Sequence, residues 1–218
     1  MSTVAYWIGA TASYVACRVF GRARFVGIEN IPSSGGAMLC ANHVSYMDPP
    51  AVGGGSPRQV HFMAKSELFR IPVLGPLIAA AGAFPVKRGS ADRAALRKAI
   101  EYLQNGEVVA MFPEGKRSLD GKLQEAELGV GMIALRAQVP VIPVGLVNTE
   151  RLLPPHSSFL HFSRIKICYG PPVELSDLYA QSGREAMEEC GRRIMSAIAA
   201  LLAEHRERPL SGVEGQSS

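Results

Sequence analysis

An α/β fold is predicted from three features. Short apolar strands alternate with helical patterns along the chain, the run at 37–41 is continuously apolar as in strands covered on both faces, and polar residues gather where strands end. The expected architecture is a single domain, with a largely parallel or mixed central sheet of about seven strands flanked by helices and an N-terminal membrane-associating helix. The 218 residues suffice for one substantial core. The chain is 47% apolar and 19% charged, with a mean hydropathy of +0.10. No uninterrupted apolar run reaches the roughly 20 residues that a spanning helix needs. A net charge of +4 suits anionic lipid or phosphorylated substrates and is too small and too scattered to point to nucleic acid. Cys17, Cys40, Cys168 and Cys190 lie far apart, without C-x-x-C or zinc spacing, and read as reduced, buried and cytosolic.

Residues 4–17 carry no charge, include Tyr6, Trp7, Ile8, Tyr14 and Val15, and are followed by Arg18, Arg22 and Arg24. A signal peptide would place its charge first and end at small residues, and this segment does neither. Residues 1–22 fit a helix lying in the membrane interface, the alternative being a core helix of the domain. Residues 23–208 form the expected domain and 209–218 a frayed tail.

Residues 24–28 read as a strand, 29–36 as a turn-rich loop and 37–41 as a strand that delivers His43 to its end. Pro49 to Val52 is expected to be one helical turn, broken by Gly53-Gly54-Gly55 as a flexible loop. A strand over 60–64 ends in Lys65, a short helix falls within 71–83, and a strand from Phe84 ends at Lys87-Arg88-Gly89. Ser90 is expected to cap a helix ending near Asn105-Gly106, with Ala95, Leu96, Ala99, Ile100 and Leu103 inward. A strand over 108–112 runs into Pro113-Glu114-Gly115-Lys116-Arg117-Ser118, which has the composition of a ligand loop. Residues 125–138 read as a helix in which Gly129 and Gly131 allow close packing. The strand over 139–146 holds Pro140 and Pro143, which argues for an edge or irregular position. In the strand 164–169, Ile165, Ile167 and Tyr169 share one face. Ser182 and Glu185 form a capping box for a helix reaching about residue 207.

The centre of interest is Asn42-His43-Val44-Ser45-Tyr46-Met47-Asp48. An interval of five separates two side chains on a helix and places them on opposite faces of a strand. His43 and Asp48 meet only if the chain turns between them at a strand end. Asp48 would then hold the proton on one imidazole nitrogen and leave the other as a base for a hydroxyl. The other reading makes Asp48 an N-cap ahead of Pro49, with His43 an ordinary strand-end residue. Arg88, beside the expected helix start, is a candidate phosphate ligand or else a solvated turn residue.

Four ordered blocks resemble the PlsC-type glycerolipid acyltransferases, the 1-acyl-glycerol-3-phosphate acyltransferase family. They are Asn42-His43 through Asp48, Gly82-Ala83-Phe84-Pro85-Val86-Lys87-Arg88, Phe112-Pro113-Glu114-Gly115-Lys116-Arg117-Ser118, and Val139-Pro140-Val141-Ile142-Pro143. The resemblance covers residues 25–146. It implies acyl transfer from acyl-CoA or acyl carrier protein to a lysophospholipid acceptor, with lysophosphatidate first, at the cytoplasmic face of the cell membrane. It further implies His43 as general base and Asp48 as its orienting acid. Arg88 and Arg117 would grip the acceptor phosphate with help from Lys65 and Lys116, and Glu114 would position the glycerol or brace the arginine loop. Backbone N–H groups at Glu114-Gly115 are candidate oxyanion donors. No metal and no cofactor beyond the thioester co-substrate are implied. G-x-S-x-G is absent, so the acceptor itself is the expected nucleophile. Two positions depart from the family: Lys116 replaces a small polar residue, and Ala126-Glu127-Leu128-Gly129 reverses a basic position, which bears on the headgroup. The competing functions are a non-catalytic lipid-binding protein and a hydrolase that delivers the acyl group to water.

Overall fold

The computed structural model describes residues 3–87, 92–154, 157 and 159–206. The expectations for Arg88, for Ser90 as a cap and for the tail at 209–218 lie outside the described residues. The described strands form one seven-stranded sheet in the order β1 (Arg24–Val26), β7 (Lys166–Tyr169), β6 (Val141–Val147), β2 (Ala37–Ala41), β5 (Val108–Met111), β3 (Val60–Lys65), β4 (Ala83–Val86). All neighbours pair in parallel except β6 and β7, so the sheet is mixed, with β1 and β7 running against the rest.

Strand alternation sorts the apolar side chains into two cores. Ala37, Leu39 and Ala41 of β2, with Ile142, Val144 and Leu146 of β6, face α1 (Thr3–Val19) and α2 (Asp48–Gly55), meeting Cys17, Ala51 and Val52. Met38, Cys40, Val109 and Met111 face α4 (Arg93–Gln104), α5 (Leu128–Ala137) and α7 (Arg184–His205), meeting Leu103, Ile133, Ile194 and Ile198. Ile165, Ile167 and Tyr169 all point into the first core, as the alternation predicts. The four cysteines are free and buried. Burial pushes the Cys17, Cys168 and Cys190 thiols up to about 11 and Cys40 upward as well, which leaves them inert.

Several local expectations need correction. Gly53-Gly54-Gly55 is helical, closing α2, and is not a flexible loop. A Cβ on Gly54 would stand 2.9 Å from the Tyr14 nitrogen, and one on Gly55 would stand 2.5 Å from the Phe25 ring. The missing side chains let α2 press against α1 and β1, which outweighs a helix-propensity cost of about 1 kcal/mol per glycine. Strand β6 is central despite Pro143. Pro143 lies level with Gly170, just past the end of β7, and its carbonyl still accepts the Gly170 N–H at 2.8 Å, so the ring omits a donor only where the pairing ends. The helix after β4 is capped by Asp92, whose carboxylate accepts from the Ala94 and Ala95 N–H groups. Helix α7 starts after Gly183 at φ 102°, and the Ser182–Glu185 box is not formed. Helix α5 starts at Leu128 rather than 125. Its Gly131 does allow close packing, since a Cβ there would fall 2.1 Å from the Met187 carbonyl oxygen.

Helix α1 packs on the domain along one side and is exposed along the other. Tyr6 and Cys17 are buried, and the Tyr6 hydroxyl accepts the Val60 N–H at 2.9 Å. The opposite side leaves Val4, Ile8, Val15 and Val19 each at least half exposed. No described helix is long and apolar enough to cross a membrane.

Candidate functional site

Because β2, β5, β3 and β4 are mutually parallel, the segments that follow them emerge on one edge of the sheet. That edge collects His43, the loop after Met111, Lys65 and Lys87. Beyond β2 the Asn42 side chain continues the ladder. Its amide donates to the Leu146 carbonyl at 3.1 Å and accepts the Leu146 N–H at 2.7 Å. A buried carboxamide thus replaces a peptide group and fixes where the chain leaves the sheet.

The chain then turns, and His43 Nδ1 lies 2.8 Å from Asp48 Oδ2. The same oxygen accepts the Val44 and Ser45 N–H groups, each at 2.7 Å. Asp48 is fully buried, and three donors on one oxygen are what hold a carboxylate there. Asp48 is therefore not an N-cap. It is the first residue of α2, with its carboxylate reaching back to the turn while Met47 occupies the cap position without a side-chain bond. The imidazole stacks on Phe112 with centroids 4.0 Å apart. Nδ1 is committed to Asp48. Nε2 has no partner among the described residues, and the side chain keeps 9% of its surface accessible.

The loop after β5 is tied to the same turn. The Ser118 N–H donates to the His43 carbonyl at 2.8 Å, and the His43 N–H donates to Glu114 Oε1 at 3.0 Å. Glu114 Oε2 accepts the Gln124 N–H at 3.2 Å. Both oxygens of this buried carboxylate are thus taken by backbone donors, which suits a brace and leaves little for a substrate glycerol. Burial outweighs these bonds and raises the Glu114 pKa above its ordinary value. Gly115 takes φ +67°, a region glycine occupies without strain, and its N–H is engaged by the Phe112 carbonyl at 3.0 Å. That bond competes with any oxyanion role for this group. The Glu127 side chain lies against Gly115, where a Cβ would come 2.9 Å from Glu127 Cγ.

The expected phosphate ligands fare differently. Arg117 is half-buried at the site, its guanidinium 3.6 Å above the Tyr46 ring. Lys116 is exposed one residue away. Lys65, at the end of β3, is exposed and pairs with Glu67 at 3.4 Å. Sequence reasoning missed the Tyr46 contact, the Phe112 stacking, the Asn42 clasp and the Gln124 tie. Asn42 and Phe112 were marked as members of the matched blocks and Tyr46 as an aromatic residue between the histidine and the aspartate, whereas nothing marked Gln124. Among the described residues no cluster of His, Cys, Asp and Glu is arranged to hold a metal ion.

Residues 22–147 match the profile of the family described as Acyltransferase. A chloroplast 1-acyl-sn-glycerol-3-phosphate acyltransferase of Brassica napus is 30% identical over 169 residues, which cover 75% of this chain and 49% of the relative. The chain thus spans about half the length of the plant relatives it matches. A 1-acyl-sn-glycerol-3-phosphate acyltransferase of Bacillus subtilis is 28% identical over 84% of this chain and 89% of the relative. The crystal structure of the 1-acyl-sn-glycerophosphate acyltransferase PlsC from Thermotoga maritima superposes with a TM-score of 0.74 at 29% identity, over 94% of this chain and 81% of that one.

Proposed function

This chain belongs to the acyltransferase family, and on that premise we propose that it moves an acyl group from acyl-CoA or acyl carrier protein to the free sn-2 hydroxyl of 1-acyl-glycerol-3-phosphate, giving phosphatidate. The observation that carries the reading is the buried His43–Asp48 contact of 2.8 Å at the sheet edge. Asp48 holds the proton on Nδ1, so Nε2 is the base. Nε2 takes the proton of the acceptor hydroxyl as its oxygen attacks the thioester carbonyl, and Asp48 stabilises the imidazolium. The tetrahedral intermediate collapses with loss of the thiolate, which recovers the proton from Nε2. The raised thiol pKa values argue against a cysteine acyl-enzyme.

Arg117 supplies a planar set of donors for the acceptor phosphate. Lys116, Lys65 and Arg88 add positive charge by their place in the chain. Glu114 braces the loop through its two backbone bonds. The exposed apolar side of α1, with Arg22 and Arg24 exposed just beyond the helix, rests on an anionic membrane surface, the cytoplasmic face of the cell membrane being the side that carries the thioester donors. A lysolipid with another headgroup is the second reading, favoured by the Glu127 carboxylate beside Gly115.

The test compares diacyl product with free fatty acid when the protein is given an acyl thioester and lysophosphatidate. Transfer should dominate, and His43→Ala should lower kcat by about 10²–10⁴-fold with little change in melting temperature. Free acid as the main product, or undiminished turnover by the variant, rejects the reading.

A further inference from the structure

Arg117 is held by its face rather than its edge. Its guanidinium carbon lies 3.6 Å from the centroid of the Tyr46 ring, and among the described residues it has no carboxylate partner. A carboxylate would consume N–H donors and neutralise the charge, whereas a ring beneath the plane leaves all five donors directed outward. Tyr46 is itself 65% exposed, so the contact does not arise from core packing. Its backbone is pinned on both sides. The preceding Ser45 N–H is bound by Asp48 Oδ2, and the following Met47 N–H is bound by Ser45 Oγ at 3.2 Å. Arg117 immediately precedes Ser118, whose N–H is bonded to the His43 carbonyl. Both halves of the stacked pair thus adjoin backbone bonds to the turn that holds the His43–Asp48 dyad.

We propose that Tyr46 is a positioning residue, its ring forming the platform that orients the Arg117 guanidinium toward the acceptor phosphate beside His43. The inference rests on the assignment of Arg117 to the phosphate. It makes the aromatic face, not the phenol hydroxyl, the working part, and places the effect in acceptor binding rather than in the chemical step.

The experiment varies lysophosphatidate at a saturating level of whichever thioester, acyl-CoA or acyl carrier protein, serves as donor. Tyr46→Leu should raise the acceptor KM about 3–10-fold while kcat and its pH profile stay within about twofold. Tyr46→Phe, which keeps the ring, should restore the native KM. Because Tyr46 acts through Arg117, Tyr46→Leu should add nothing in an Arg117→Ala background. The proposal is overturned if Tyr46→Leu leaves KM unchanged, if Tyr46→Phe is as impaired as Tyr46→Leu, or if the Tyr46→Leu effect is the same in both backgrounds, which would signify direct contact with substrate or lipid. A normal acceptor KM for Arg117→Ala alone would remove the phosphate assignment and this inference with it. A raised KM there with no effect at Tyr46 removes the inference alone.

Discussion

Asp48, the first residue of α2, does two things with one oxygen: it orients the imidazole and closes the turn by accepting two backbone N–H groups. Asp48→Asn removes the charge and turns one of its oxygens into a donor, so the imidazole loses the partner that fixes its tautomer. Turnover should fall about 10²–10⁴-fold, and the variant should also melt earlier because the turn N–H groups lose acceptor strength. Steady-state kinetics and a thermal melt on the same sample check both. Glu114 is a second buried carboxylate, and it carries a pH signature. Its folded pKa is raised, chiefly by burial, so the fold binds its proton more tightly than the unfolded chain does. Stability must then decrease as pH rises from the unfolded value of about 4.3 through the raised value. Glu114→Gln cannot ionise, and the melting temperature of the native protein relative to this variant should decline across that window. A difference that is flat with pH, or grows, would contradict the burial argument.

At the scale of elements, what was readable and what was not followed a physical line. Strands β2, β5 and β6 announced themselves because both faces are covered and every position is apolar. The glycines of α2 did not, because a run without side chains looks the same whether it flexes in solvent or lets two backbones touch. Only the partner surfaces, α1 and the Phe25 ring, distinguish the two. The cap of α4 at Asp92 was not legible, because Ser90 and Asp92 are equally good capping types in a sequence and only the Asp92 geometry identifies it. Gly131 was legible as a close-packing site, and its partner on α7 gives that reading a measurable form. Gly131→Ala sets a methyl group against the Met187 carbonyl, and should destabilise the fold by about 1–3 kcal/mol despite the better helix propensity of alanine. Chemical denaturation measures it, and a stabilised variant would show that α7 can shift away at no cost.

For the whole molecule, the α/β architecture and the gathering of His43, Asp48, Glu114 and Arg117 were legible, because parallel strands bring the segments that follow them to a common edge. The direction of β1 and β7 was not legible, since three or four residues of alternating pattern carry no polarity. That direction has a functional consequence. Arg24 is level with Lys166, which is level with Val147, so β1 begins at the edge where β2 and β6 end. The C-terminal end of α1 is thereby brought to the same edge as His43, three strand spacings or about 14 Å away across the sheet. Ile8→Asp on the exposed side of α1 should weaken co-sedimentation with anionic vesicles while leaving the melting temperature nearly unchanged. Binding equal to that of the native protein would detach α1 from the lipid surface.

With β1 starting beside the reaction edge, the proposed membrane seating would spare the acceptor any passage through bulk water. On the proposed seating of α1 against lipid, the acceptor would slide laterally within one leaflet until its headgroup met the protein. Catalysis on such a two-dimensional feedstock obeys surface dilution. Adding inert phospholipid at constant total lysophosphatidate should slow the initial rate in proportion to the acceptor mole fraction, as an interfacial assay over mixed vesicles would register.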